Sequence, residues 1–473
     1  MQKISVDKKI LAEVLASCKI DRLFEQEHCL LTIDSRAVPN GSLFFALSGE
    51  THDGHNYVKD ALLRGAKGAV VKKNHPCCID IDPQFLLEVE DPLSTLSQLA
   101  KRHIEIMPAI RIALSGSNGK TTTKEMLKAA LSFVVGSEKV YANPGNKNNH
   151  IGLPLSAFEL NKDHRYAIFE MGMNHSGEIA HLCQIVHPHF GLITNIGCAH
   201  EGNFRDGVLG VQKAKAELFD ALKCKGHAIV NLDDPKITKE AQARIFACST
   251  TFGTTDEAQV QLTKLEDFDE ILGRQRLWVK IDGETFAVNS PLLGAHHAMN
   301  VLSTLATVKA LGLDVKRASL GISNMTLIKG RMSISTNSRG CTIVNDGYNA
   351  NPVSMSAGLL SAKTLKAKRF ISVVGCMGEL GEKSRQHHFE LGILLAKHSA
   401  RIFVCGTEGK AIVEGALSAG FLKEKIIYEE TSLKLIDPLK NTLEKGDVVF
   451  IKGSLSANMQ AIADALLQLD EGN

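Results

Sequence analysis

The chain has 473 residues, more than one hydrophobic core ordinarily serves, and at roughly 150 residues per domain it should form about three domains. Its 54 Lys and Arg nearly cancel its 52 Asp and Glu, so no long-range field recruits nucleic acid or an anionic membrane. Aromatic residues are only 5 % of the total, too few for a platform on which single-stranded bases stack.

The eleven cysteines, Cys18 among them, are an odd number with no C-x-x-C pair. That argues against a disulfide framework or a zinc knuckle and for a reducing compartment. The start, Met1-Gln-Lys-Ile-Ser-Val-Asp-Lys-Lys-Ile10, lacks the apolar core of a signal peptide, and no apolar run approaches a membrane span. A cytoplasmic chain with no membrane insertion and no nucleic-acid partner is expected.

In chain order, the stretches Ser42 to Leu47 and Gly68 to Val71 read as strands, with a helix from Tyr57 to Arg64 between them. A helix from about Pro92 to Ile106 leads to Met107-Pro108, which reads as a linker. The buried strand Ile110 to Leu114 then runs into Ser115-Gly-Ser-Asn-Gly-Lys-Thr-Thr122, and helix formers follow from Thr123 to Leu131. Further strands are expected at Tyr166 to Phe169, Phe190 to Ile193 and His227 to Val230, with helices at about Gly177 to Val186 and Gly210 to Leu222. Strands alternating with helices imply a mostly parallel sheet covered on both faces. Residues 254–290 alternate apolar with polar instead, as in Leu277-Trp-Val-Lys-Ile-Asp282, and read as antiparallel edge strands. After a helix at about Ala298 to Leu311 the pattern restarts near Arg331. The strands Thr342 to Asn345, Arg369 to Val374, Arg401 to Val404 and Asp447 to Ile451 make a third α/β unit. The expected domains are 1–107, 108–326 and 327–473.

The sharpest chemical signal is Gly116-Ser-Asn-Gly-Lys-Thr-Thr122. Small residues between a strand and a helix let backbone N–H groups and the helix N-terminus face one phosphate. Lys120 would reach the outer phosphates, and the Thr121 hydroxyl would ligate Mg²⁺. Leu114 stands where the usual pattern has its first glycine. Glu170 and His200 follow successive strands at their carboxyl ends, where parallel sheets collect ligands. Each alone is more often a structural polar residue; together in one phosphate-binding domain they are candidate metal ligands. Lys215 flanks the apolar stripe Val211, Ala214, Leu218, Ala221 and Leu222, where a solvated lysine is the ordinary outcome.

These residues resemble those of the Mur ligase superfamily, which includes the ligases of the peptidoglycan stem peptide and folylpolyglutamate synthase. The resemblance runs from about residue 34 to 460. It implies three α/β domains: a smaller N-terminal UDP-binding domain, a central P-loop domain and a C-terminal Rossmann-like domain. It assigns ATP to Gly116, Ser117, Asn118, Gly119, Lys120, Thr121 and Thr122, with Asn300 at adenine and Arg331 and Asp346 closing from the third domain. It assigns one Mg²⁺ to Thr121 and Glu170, and a second to His200 and a carbamylated Lys215. The resemblance makes Lys120, His200 and Lys215 the expected catalytic group.

Within the family, Gly145-Asn-Lys-Asn-Asn-His-Ile-Gly-Leu-Pro154, Glu170-Met-Gly-Met-Asn-His-Ser-Gly-Glu178 and Val373-Val-Gly-Cys-Met-Gly-Glu-Leu-Gly381 look like the member that adds D-alanyl-D-alanine to UDP-N-acetylmuramoyl-tripeptide. Substrate contacts then fall on Ser35, Arg36, Asp53 and His55, on Asn146 and Asn149, and on Tyr348, Asn349 and Asn351. Cys376 departs from that member's usual aspartate. The implied reaction phosphorylates the tripeptide carboxylate and lets the dipeptide amine displace phosphate, in a monomer. The alternatives are the ligase of the third stem residue and, from another class, a P-loop ATPase switch or binding protein.

Overall fold

The computed structural model describes residues 4–15, 23–24, 26–49, 51–269 and 273–468, so Cys18 and residues 270–272 of the expected antiparallel stretch lie outside it. Two compact units result: Met1–Ala113 with Glu138–Gly172 and Glu178–His189, and Leu114–Ser137 with Met173–Gly177 and Phe190–Asn473.

In the first unit, β1 (Ile4–Asp7), β2 (His28–Thr32), β3 (Leu43–Phe45), β4 (Gly68–Lys72) and β5 (Leu86–Val89) form one sheet in that order. All pairs are parallel except β1 with β2. Phe44, Ala46, Ala69 and Val71 pack there against Val58 and Ala61 of the short helix Val58–Leu63. The helix Pro92–Glu105 starts where the sequence suggests, because the Asp91 carboxylate accepts the N–H groups of Leu93 and Ser94 and Pro92 needs no donor. Strand β6 (Ile110–Ser115) carries the chain across the boundary between the units. β7 (Val140–Ala142) pairs in parallel with β8 (Tyr166–Glu170), which is buried at every position, as a strand covered on both faces must be.

In the second unit, β9 (Phe190–Ile193), β10 (His227–Asn231) and β11 (Cys248–Gly253) run parallel. β12 (Val260–Asp269), β13 (Arg274–Ile281) and β14 (Glu284–Ser290) then form the expected antiparallel meander. The remaining strands are β15 (Ser333–Thr336), β16 (Thr342–Asp346), β17 (Arg369–Val374), β18 (Arg401–Cys405), β19 (Ile426–Glu429) and β20 (Asp447–Lys452). They lie in the order β15-β16-β20-β17-β18-β19, with β15 alone antiparallel. Ile343, Ile371, Phe403, Val449 and Ile451 fill one face of this sheet against Ile462 and Leu466. Two residues expected to carry chemistry fall at the carboxyl ends of these parallel strands, Glu170 on β8 and Asp346 on β16.

Candidate functional site

The phosphate loop is held from a distance in sequence. The Asn195 side chain accepts from the Asn118 N–H (3.0 Å) and donates to the Asn118 carbonyl (2.9 Å), treating the loop as a strand partner would. Thr194 Oγ1 donates to the same carbonyl at 2.6 Å, and the Ser117 N–H donates to the Asn195 carbonyl at 2.9 Å. Ser117 and Asn118 thus spend their N–H groups on Asn195. The helix Lys120–Val135 follows at once, and a helix N-terminus favours an anion. That helix begins at Lys120, three residues before the expected start, because Gly119 caps it at φ +81°. A side chain at Gly119 would be strained there and would also meet Asn300 Oδ1 at 2.5 Å.

Lys120 Nζ donates to the Gly116 carbonyl at 2.7 Å, and Lys215 Nζ donates to the same oxygen at 3.0 Å. Lys215 is 1 % exposed, so the ordinary expectation of a solvated lysine fails. Burial, with Lys120 beside it, holds its ammonium well below the usual lysine range. The result is a buried amine next to the phosphate loop whose charged form is disfavoured.

Arg331, expected at the nucleotide, and Asn351, expected at the substrate, both meet the loop. Arg331 lies 4.1 Å over the Tyr348 ring and donates to Thr121 Oγ1 at 3.4 Å. Asn351 caps the helix Pro352–Ala362 and donates to Asn118 Oδ1 at 2.6 Å. Asp346 accepts from the Met332 N–H at 3.2 Å and pairs with the buried Lys452 at 2.5 Å, whose ammonium burial pushes down. Lys452 also donates to the Asn349 carbonyl at 3.0 Å, so the main chain of Asn349 is an anchor.

His200 Nδ1 faces the Glu379 carboxylate, and that contact, with Lys120 adding, holds Glu379 below the usual range. His297 was not singled out by the sequence. Its Nδ1 accepts from the Asn300 amide at 3.3 Å, and burial keeps the ring neutral, far below the usual histidine range. His297 Nε2 and Arg331 Nε are buried without a hydrogen-bond partner among the described residues, as donors awaiting an acceptor-rich ligand such as a nucleotide would be.

In the first unit, Glu170 is 1 % exposed and its Oε1 accepts from Asn148 at 2.7 Å. Asn143 bonds the Glu170 main chain on both sides, donating at 3.1 Å and accepting at 2.8 Å. Asn148 thus holds the carboxylate and Asn143 the main chain of Glu170. Asn149 accepts from the Gly152 N–H at 2.7 Å as a turn cap, and Asn146 is exposed. Singly, Thr121, Glu170 and His200 offer the oxygen and nitrogen donors that suit Mg²⁺.

Ser35 and Arg36 follow β2, where Arg36 forks onto Asp34 with two contacts of 2.9 Å. Asp53, His55 and His75 bring ligand atoms within 4.8 Å of one another, close enough for a metal. Their protons argue otherwise. His55 Nε2 accepts from the Lys72 N–H at 2.9 Å, so Nδ1 carries the proton and donates to Asp53 at 2.7 Å. His75 Nδ1 accepts from the Cys77 N–H at 3.4 Å, so its Nε2 faces Asp53 as a donor at 3.2 Å. Burial would raise the Asp53 carboxyl, but the hydrogen bonds from His55 and Ser48 prevail and lower it to about 2. With both ring nitrogens engaged and the residue 2 % exposed, His55 positions Asp53 and β4 and has no ring nitrogen left for substrate.

The comparisons agree with this architecture. Residues 29–104 match the Mur ligase family catalytic domain, 114–308 the Mur ligase middle domain, and 330–455 the Mur ligase glutamate ligase domain. The chain belongs to the Mur ligase family and has its three-domain α/β fold. It is similar to the UDP-N-acetylmuramoyl-tripeptide--D-alanyl-D-alanine ligase of Bacillus subtilis, 31 % identical and covering 97 % of this chain and 98 % of that one. The ligase of that name from Treponema pallidum is 33 % identical, over 92 % and 93 %. Among solved structures, MurF from Acinetobacter baumannii superposes with a TM-score of 0.85 at 29 % identity, covering 99 % of this chain and 100 % of that one. The MurF ligase of Thermotoga maritima in complex with ADP gives 0.80 at 26 %, over 93 % and 97 %. No helix among the described residues is long and apolar enough to cross a membrane.

Proposed function

We propose that this chain joins D-alanyl-D-alanine to UDP-N-acetylmuramoyl-tripeptide, splitting ATP to ADP and phosphate. The observation that carries this is similarity along nearly the whole chain to ligases of that name, 31 % identity over 97 % of its length. A carboxylate is a poor electrophile. Moving the γ-phosphate of ATP onto it makes an acyl phosphate, which the dipeptide amine then attacks to form the amide and release phosphate. Two anions meet in the first step, so charge neutralisation should dominate catalysis. Lys120 and the first turn of its helix take the phosphates, and Arg331 and Asn300 hold the nucleotide. Thr121 and Glu170 are assigned to one Mg²⁺, which neutralises phosphate charge when bound. His200 is assigned to a second with Lys215.

The buried amine of Lys215, its charged form disfavoured by burial and by Lys120, favours that assignment. It can attack CO₂ and lose a proton, becoming a carbamate anion, which a protonated lysine cannot do. Ser35, Arg36 and Asp53, on the carboxyl edge of the N-terminal sheet, are assigned to the UDP-substrate. Tyr348 and Asn349 are assigned to the dipeptide end. The experiment is phosphate release from ATP and Mg²⁺ with UDP-N-acetylmuramoyl-tripeptide, with and without D-alanyl-D-alanine. Release that needs both, with a product heavier by one dipeptide, is expected. Release with a single amino acid would move the chain to the preceding ligation. Turnover indifferent to any acceptor would refute ligation.

A further inference from the structure

Within the second unit, the loop that carries His200 is held residue by residue by the turn after β17. The His200 ring meets the Glu379 carboxylate through Nδ1 as an ion-pair contact, without the alignment of a hydrogen bond. The buried Glu201 accepts from Lys383 at 3.4 Å and lies 3.2 Å from His387 Nε2. The Gly202 N–H donates to the Glu379 carbonyl at 3.3 Å, and a Cβ on Gly202 would come within 2.6 Å of the Gly381 nitrogen. Both members of the central pair also have left-handed backbones, His200 at φ +66° and Glu379 at φ +60°. Residues with a Cβ persist there only where their surroundings hold them, and such strain gathers at functional sites. A glycine at 379 would take the same angle without strain. What glutamate adds is its side chain, and that side chain is on His200.

We propose that Glu379 is the positioning residue for His200: it keeps the proton on Nδ1, fixes the ring plane and leaves the Nε2 lone pair for a divalent cation. A carboxylate on the far nitrogen is the usual means of orienting a metal-binding imidazole and raising its basicity. The inference rests on the assignment of His200 to magnesium made above.

Mn²⁺ binding in the presence of ADP, followed by electron paramagnetic resonance, tests it without turnover. Glu379→Gly should weaken Mn²⁺ by about 10- to 100-fold. It should melt at or above the temperature of the unsubstituted chain, because strain is relieved, and should bind ADP unchanged in EDTA. A merely structural glutamate would lower the melting temperature and leave the metal alone. Glu379→Gln, which can still accept from Nδ1, should retain most of the affinity. His200→Ala should weaken Mn²⁺ as Glu379→Gly does, and the double substitution should lose nothing more. Normal Mn²⁺ binding by Glu379→Gly beside weakened binding by His200→Ala would overturn the positioning role and leave the ligand. Normal binding by both would remove the ligand assignment itself. A further loss in the double variant would show that Glu379 acts apart from His200, and would also overturn the proposal.

Discussion

Replacing Lys215 by methionine separates its chemical role from its structural one. In the folded chain its ammonium is held well below the ordinary value of 10.5 by burial and by Lys120. Each pH unit across which a group is kept deprotonated costs about 1.4 kcal/mol. The interval from pH 7 to 10.5 therefore sets a ceiling of about 5 kcal/mol on the cost of a neutral Lys215. Methionine removes that cost and forfeits one hydrogen bond, Lys215 Nζ to the Gly116 carbonyl, worth about 1 kcal/mol. Lys215→Met should thus be more stable at pH 7, by up to about 4 kcal/mol, while losing ligation. The sign of the pH dependence follows. Between the lowered folded value and 10.5 the unfolded chain binds the extra proton. The unsubstituted chain therefore gains stability as pH rises through that window and loses it as pH falls. The advantage of the variant should shrink steadily from pH 7 to 10. Urea unfolding in CO₂-free buffer, read from the single tryptophan, Trp278 on β13, reports on the unit that holds Lys215. An advantage that stays flat across this range would mean that Lys215 is protonated when folded, and the neutral amine would be refuted. In parallel, short carboxylic acids should partly restore ligation to Lys215→Ala by returning an anion to the space.

Lys120→Ala should abolish ATP-dependent turnover while leaving UDP-substrate binding intact; unchanged turnover would remove the phosphate-loop assignment. Gly119→Ala places a Cβ at φ +81° and 2.5 Å from Asn300 Oδ1. It should cost about 1–2 kcal/mol in backbone strain alone and weaken ADP as Asn300 is displaced, checked by urea midpoint and ADP titration. Lys452→Met leaves the Asp346 carboxylate buried without its cation and should destabilise by about 3–5 kcal/mol. Adding Asp346→Leu should recover much of that, measured by thermal unfolding. A single substitution with no effect would mean that the pair is solvated.

Much of the fold was legible because it is local. The end of β6, the loop and the helix of the phosphate site are contiguous, so strand former, Gly-Lys-Thr-Thr and helix formers are read in one window. The strands Phe190–Ile193 and Arg369–Val374 fall where their apolar runs place them. The meander of β12 to β14 follows from its alternation. Weakly patterned elements such as β1, β15 and β19 escaped, since a four-residue strand carries too few positions to show a period. In the candidate site, residue identity named side chains with suitable donors and could not show which neighbours hold them. Asn148 and Asn143 hold Glu170, and His55 spends both nitrogens on its own domain.

The sequence by itself determined which side chains carry donors suited to anions and metals, because the donor chemistry of Lys120, Thr121, Glu170 and His200 is a property of the side chains and their place after strands. Only the tertiary structure decided protonation and partnership. The charged form of Lys215 is disfavoured because the folded chain buries it and sets Lys120, about a hundred residues earlier, beside it. The loop is rigid because Thr194 and Asn195 hydrogen-bond to it across more than seventy residues. Desolvation and hydrogen-bond satisfaction depend on atoms that are near in space, and no window along the chain contains them.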